Sequence, residues 1–361
     1  MDYNVLQENL QDIYIMEENM RRYTVLLLIS FFLIVAVFSM GLYISGRDSH
    51  RDSSGRLLSE ITVYTTLPTE NIVYLATAYE KEYRVRVNFV PLSEQELEEK
   101  IQETGHADMV LADSKLLKRA AGKGYLVPYS SEYTDTVGKD FKNIDDYWIG
   151  VWYDPVVFCV NKDYLKLNDV PLSWQDLGSN TKARIGITDF LAADNAANIY
   201  FFLVAEMGET RAMNLMQRMH PHVVQYSKYL STPVRMAGMN EVDVAIAVQS
   251  EALRYVAEGY PIKLVQPQEG TAYTLTGAGI LLKAPQSKLA QDFLDWLLTD
   301  EAQLVLRSNN FYFLPANPAT LAGKTLMYRN ITVFKQSVDY TPEKRSSLLD
   351  NWVKNVRLRD N

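Results

Sequence analysis

The chain has 361 residues, 47% of them hydrophobic and 22% charged, and a formal net charge of -8. This balance is that of a globular protein and excludes the broad basic surface of a nucleic-acid binder. The single cysteine, Cys159, rules out an internal disulfide and a cysteine-based metal cluster.

Residues 1–22 carry Asp2, Glu8, Asp12, Glu17 and Glu18 and read as a short tail. Residues 23–46 hold no charged side chain and are bracketed by Arg22 and Arg47. Roughly 20 apolar residues span a bilayer as a helix, whereas the apolar part of a signal peptide is about 7–15 residues long after a short basic start. Residues 23–46 are therefore read as an uncleaved, single-pass transmembrane anchor. Arg21 and Arg22 precede it and Arg47, Arg51 and Arg56 follow it, so counting basic residues does not by itself orient it. Residues 47–59 are polar and read as a tether.

Residues 61–66 are β-branched and aromatic, a strand pattern. Leu67-Pro68-Thr69-Glu70 opens a helix to about Tyr83, with Ile72, Leu75, Ala76 and Tyr79 on one face. A strand over 84–90, an acidic helix over 93–103 and a strand over 108–112 follow, and Asp113-Ser114 opens the next helix. Strands alternating with helices imply a parallel sheet with crossover helices, an α/β fold. Within 150–161 the run Val156-Val157-Phe158-Cys159-Val160 suits a strand buried on both faces. It is read as carrying the chain from one lobe to another, with Trp152, Tyr153 and Asp154 facing the cleft between them and Cys159 in the core.

A second α/β unit follows. Strands are expected over 183–188, 223–226, 242–248 and 262–265, and helices over 193–207 and 210–219. Short helices are expected after Ser173, after Ser231-Thr232-Pro233 and after Ser250, each opened by a capping residue. Residues 273–282 read as a strand returning to the first lobe. The helix over 285–298 places Leu289, Phe293, Trp296 and Leu297 on one face, and Thr341-Pro342-Glu343 opens a final helix with Leu348, Leu349, Trp352, Val353 and Val356 along one side.

No glycine-rich nucleotide loop, Gly-x-Ser-x-Gly elbow or His-Glu-x-x-His motif is present, so no catalytic centre, cofactor or metal site is assigned. His220 and His222 flank Pro221 and read as loop histidines. A strand that ends in small polar residues at a helix start does recur, at Thr65-Thr66, Asp113-Ser114, Thr188-Asp189, Ser231-Thr232 and Gln249-Ser250. Free backbone N–H groups and the helix dipole favour anions at such places, and open parallel sheets bind ligands beyond the carboxyl ends of their strands. Each alone reads as a helix cap; five on facing lobes read as a binding cleft.

Four stretches carry a resemblance. They are Tyr64-Thr65-Thr66-Leu67-Pro68, then 151–158 with Val160-Asn161, then 257–262 running into Gly270-Thr271, and finally 293–298 with Glu301-Ala302-Gln303. In this order the chain from about Glu60 to Pro318 resembles the extracytoplasmic solute-binding proteins of ABC importers, in the group that includes ferric-ion, thiamine, phosphonate and sugar-phosphate binders. The resemblance implies a two-lobed periplasmic-binding-protein fold of type II, with residues 60–155 and 277–361 forming one lobe and 156–276 the other. It implies a hinged trap for a small polar or anionic solute or a metal ion, docking onto a permease with its ATPase, and no catalysis. By analogy the ligand contacts are Thr65, Thr66, Ser114, Tyr153, Asp189, Ser231, Thr232, Ser250 and Tyr273. The binding domain would lie outside the cytoplasm and residues 1–22 inside it. Two departures stand out. Where the ferric-ion binders carry adjacent tyrosines, this chain has Gln249-Ser250-Glu251, and the helix start after Thr188 is Asp189-Phe190-Leu191-Ala192 rather than rich in Ser, Thr and Gly. A sensor or scaffold that reports occupancy through the anchor, and an enzyme on a similar bilobal fold, are the rival classes.

Overall fold

The computed structural model describes residues 59–179, 182–324, 331–334 and 339–359, and the fold is that of the unit Glu60–Asn361. The tail, the anchor and all of the tether before Ser59 lie outside the described residues. Among the described residues no helix is long and apolar enough to cross a membrane.

In chain order the elements are β1 (Ser59–Thr65), α1 (Thr69–Tyr83), β2 (Val85–Pro91), α2 (Glu94–Lys100), β3 (Met109–Asp113), α3 (Ser114–Gly122), β4 (Leu126–Val127) and β5 (Ile149–Asn161). Then come α4 (Trp174–Ser179), β6 (Ile185–Thr188), α5 (Asp194–Met207), α6 (Glu209–Met219), β7 (Val223–Ser227), α7 (Thr232–Gly238), β8 (Val244–Val248), α8 (Gln249–Ala257) and β9 (Ile262–Val265). The chain ends with β10 (Tyr273–Leu281), α9 (Ser287–Leu297), α10 (Asp300–Ser308), β11 (Leu314–Pro315), α11 (Leu321–Lys324) and α12 (Pro342–Trp352), the last running into a π-helical turn over Val353–Arg357. The helix expected over 285–298 and beyond is two helices, because Thr299 ends one and caps the next by accepting the Ala302 N–H.

The first lobe is built on the strand order β2-β1-β3-β10-β5, with β4 on β10 and β11 on β5. The second is built on β5-β8-β6-β7, with β9 on the other side of β5. Pairing is parallel between β1 and β3 and among β6, β7 and β8, as crossover helices require; β10 and β5 run antiparallel to their neighbours. Both sheets are covered on both faces. Along β3, Met109 and Leu111 join one core cluster while Val110 and Ala112 join the other. Along β5, Val156, Phe158 and Val160 face one side of the second lobe and Val157 and Cys159 the opposite side. This is the two-residue period of a strand buried on both faces.

β5 belongs to both sheets. Its residues 149–155 pair with β10, and 156–160 pair with β8. The return crossing lies alongside it: the Val156 N–H donates to the Ala272 carbonyl at 2.8 Å and the Thr271 hydroxyl to the Val156 carbonyl at 2.8 Å. A third segment passes here too. The Thr271 N–H donates to the Thr332 carbonyl at 3.0 Å and the Phe334 N–H to the Thr271 carbonyl at 2.9 Å. Val333 packs against the first lobe and Phe334 is buried in the second.

That third crossing corrects the lobe boundaries read from sequence. Residues 277–361 were assigned to the first lobe, yet α12 packs on the second: Leu348, Trp352 and Val356 join the cluster containing Phe190, Tyr200 and Leu215. Residues 273–276, assigned to the second lobe, pair with 152–155 in the first sheet.

The crossing tolerates little added volume. A Cβ on Gly150 would collide with the Phe141 backbone carbonyl oxygen and lie 3.0 Å from Leu275 Cδ1. Backbone cannot rotate aside as a side chain can. Gly150→Ala is expected to destabilise the protein by about 1–3 kcal/mol in urea unfolding; an unchanged midpoint would show that the strand shifts freely.

Candidate functional site

A cavity of about 1010 Å³ opens between the lobes. The first lobe contributes Thr66, Asn71, Ser93, Lys115 and Arg119; the crossing strands contribute Asp154, Thr274 and Thr276. The second lobe contributes Asn195, Asn198, Leu230, Ser250 and Glu251, and the carboxyl-terminal segment contributes Tyr340, Thr341 and Arg345.

Of the nine residues chosen from sequence, Thr66 and Ser250 line this cavity. The other seven do not, and most miss by one position. Tyr153 points to the opposite face of β5, its ring stacked on Phe141 at 4.7 Å, so the alternation of the strand brings Asp154 to the cleft instead. Tyr273 packs against Phe141 and Phe202, and its neighbour Thr274 faces the cavity. Ser114 is flanked by Asp113 and Lys115, which do line it, and Ser231 and Thr232 follow Leu230, which does. Thr65 is fully buried, and its hydroxyl accepts the Leu67 N–H at 3.1 Å. Asp189 is drawn away into an ion pair with Arg357 at 3.0 Å.

The helix starts are already occupied. Asp113 accepts the Lys115 N–H at 2.8 Å, and Asp189 accepts the Leu191 N–H at 2.9 Å. Ser250 does not cap α8. Its N–H and hydroxyl both donate to Asp154, at 2.9 and 2.5 Å, joining the crossing strand to the second lobe. Side-chain oxygens of the protein thus take the place that a bound anion would hold.

Charge in the cavity is mostly paired. Arg119 pairs with Glu98 at 2.6 Å, Arg345 with Asp194 at 3.0 Å, and Glu251 with Arg254 at 2.6 Å. Asp154 is 7% exposed, and burial pushes its pKa up to about 7; the Ser250 bonds favour the carboxylate, while the charge of Glu251 opposes it. Lys115 reaches across the cavity to donate to Asn198 Oδ1 at 2.7 Å, and burial lowers its pKa. Sequence reading missed Lys115, Asn198 and Arg345. A signal existed for Asn198: it lies three residues after Asn195 and is followed by the apolar run 199–205 of the same helix.

Elsewhere, His220 lies 2.9 Å from the Tyr226 hydroxyl and 3.1 Å from the Arg359 carbonyl, a packing role. Cys159 is buried, and its thiol pKa is pushed up to about 12 by that burial. Among the described residues no group of three or more His, Cys, Asp or Glu side chains is placed to hold a metal ion.

Two α/β lobes, joined by crossing strands and enclosing a polar cavity at the crossing, define a two-lobed periplasmic-binding-protein fold of type II. The chain belongs to the bacterial extracellular solute-binding protein family, whose sequence profile matches residues 62–312. That family consists of binding proteins, not enzymes. An uncharacterized protein of Haemophilus influenzae is 28% identical over 255 residues, covering 66% of this chain and 73% of that one. Iron uptake protein A1 of Synechocystis sp. is 24% identical over 273 residues, 70% of this chain and 75% of that one. The solved structure of the periplasmic binding protein AfuA from Actinobacillus pleuropneumoniae, with fructose-6-phosphate bound, shares the fold at a TM-score of 0.63 and 23% identity, covering 83% of this chain and 99% of that one.

Proposed function

We propose that the chain is a membrane-anchored, extracytoplasmic solute-binding protein. It captures a small polar or anionic solute, or a metal ion, between its lobes and presents it to an ABC import permease working with its ATPase. The observation that carries this reading is the cavity at the crossing, lined from both lobes and floored by the strands that join them. A ligand touching both lobes favours the closed arrangement, because only there are all its contacts made. The apolar stretch 23–46 supplies the anchor, with 1–22 in the cytoplasm and 47–59 as tether. Ferric ion enters the field through the iron uptake relative and sugar phosphate through AfuA.

The test is a thermal-shift screen of the full-length protein in detergent against phosphorylated sugars, small organic anions, neutral sugars and Fe(III). A ligand at about 100 times its Kd adds roughly 2.7 kcal/mol, which raises the melting temperature by several degrees. If no solute of any charge moves the midpoint, the binding reading fails.

A further inference from the structure

We propose that the protein latches its own lobes together across the cavity, Lys115 of α3 holding Asn198 of α5, so that they stand closed before any solute arrives. This goes beyond the binding reading above, which concerns the protein with its solute.

The first observation is the contact itself. The Lys115 ammonium donates to Asn198 Oδ1 at 2.7 Å. α3 sends Leu116 and Leu117 into the core of the first lobe, and α5 sends Ile199 and Phe201 into the core of the second. The bond therefore joins the lobes, and parting them breaks it. Hydrogen bonds with a charged donor are stronger than neutral ones. Asn198 is 4% exposed and Lys115 is half-buried, so water competes little for either partner.

Both ends of the latch are held in place. Asp113 accepts the Lys115 N–H at 2.8 Å and fixes the start of α3. On α5, Asp194 lies one turn before Asn198 and pairs with Arg345 at 3.0 Å. The Arg345 guanidinium also lies over the Phe201 ring, 4.7 Å from its centroid, and Tyr340 meets that ring edge-on at 6.0 Å. The carboxyl-terminal segment thus braces the helix that carries Asn198.

The second observation is the third crossing. Two-lobed traps open by turning about the strands that join the lobes. Here Val333 packs on the first lobe and Phe334 in the second, and the segment between them and Thr332 is tied to the Thr271 backbone at 3.0 and 2.9 Å. A third connection fixed in both lobes restrains that turn. A third observation agrees. The Lys115 N–H and the Ser250 N–H are taken by Asp113 and Asp154, so the closed arrangement satisfies these groups from within the protein. Opening, rather than closing, is then the step a solute waits for.

The test is pulsed electron double resonance on the full-length protein in detergent, without solute. Spin labels are carried by Gln95→Cys and Ala192→Cys. Both residues are exposed, one next to the cavity-lining Glu94 and the other just before Asp194, while Cys159 is buried. This labelled protein is expected to show one narrow distance. Adding Lys115→Met removes the donor and keeps the apolar stem. It should introduce a longer distance and lower the closed-to-open ratio by about tenfold or more, the effect of losing a charged hydrogen bond. Asn198→Ala should do the same by removing the acceptor, and Lys115→Arg, which keeps a donor, should stay within about threefold of the parent. A cooperative melt in Lys115→Met separates opening from unfolding. A longer distance that already dominates before Lys115 is changed, or a distribution that Lys115→Met leaves unaltered, overturns the latch. Either result leaves the binding reading to its solute screen, and a screen without any ligand leaves the latch standing.

Discussion

Asp154→Asn is expected to stabilise the protein at pH 8 by roughly 4 kcal/mol relative to its effect at pH 4. Asp154 sits where β5 passes between sheets, and its pKa is raised from 3.8 to about 7, chiefly by burial. The folded protein therefore holds a proton there that the unfolded chain releases between about pH 4 and pH 7. Over that window the unfolded state binds fewer protons, so stability falls as pH rises; it is fully present below about pH 4 and level again above about pH 7. A rise of this size corresponds to roughly 4 kcal/mol. Asn keeps the contacts. Its carbonyl oxygen accepts one Ser250 donor, and its amide donates to the Ser250 hydroxyl. Urea unfolding of the parent and of Asp154→Asn across pH 4–8 gives the difference directly, with other titrations cancelling. Parallel pH profiles would show that Asp154 is ionised throughout and solvated from the cleft.

Trp352→Ala is expected to cost about 3–5 kcal/mol. Trp352 is 0% exposed, with ring centroids 4.6 Å from Phe190 and 5.5 Å from Tyr226. The loss should be local. Amide exchange should quicken in α5 and α6, whose Phe201, Leu203 and Leu215 share this core, before it quickens in β1 and β3. Among the described residues the indole N–H of Trp352 has no hydrogen-bond partner, so Trp352→Phe should cost clearly less. If exchange instead quickens first in the first lobe, the carboxyl-terminal helix belongs there after all.

The two substitutions mark where sequence reading works and where it stops. The apolar run 156–160 sufficed to place a crossing strand, because a stretch that cannot alternate polar and apolar residues needs cover on both faces. Around it, Trp152, Tyr153 and Asp154 all read as facing the cleft, with Tyr153 and Tyr273 as the ligand contacts, whereas Asp154 and Thr274 line the cavity. Nothing local decides which of two adjacent residues faces a cleft; the pairing of the strand with β10 and β8 does. Each helix start reads from sequence as a cap and the five together as a cleft, because a strand, a turn and a small polar residue look the same whether or not a carboxylate already occupies the N–H groups.

By itself the sequence determined the alternation of strands and helices, the crossing through 150–161 and the amphipathic stripe of the last helix. Each depends on the spacing of side chains along one segment, which the chain carries locally. The partner of that stripe, the cavity floor at Asp154, the approach of Lys115 to Asn198 and the raised pKa were decided only by tertiary structure. They depend on which distant segments pack together and how much water that packing removes.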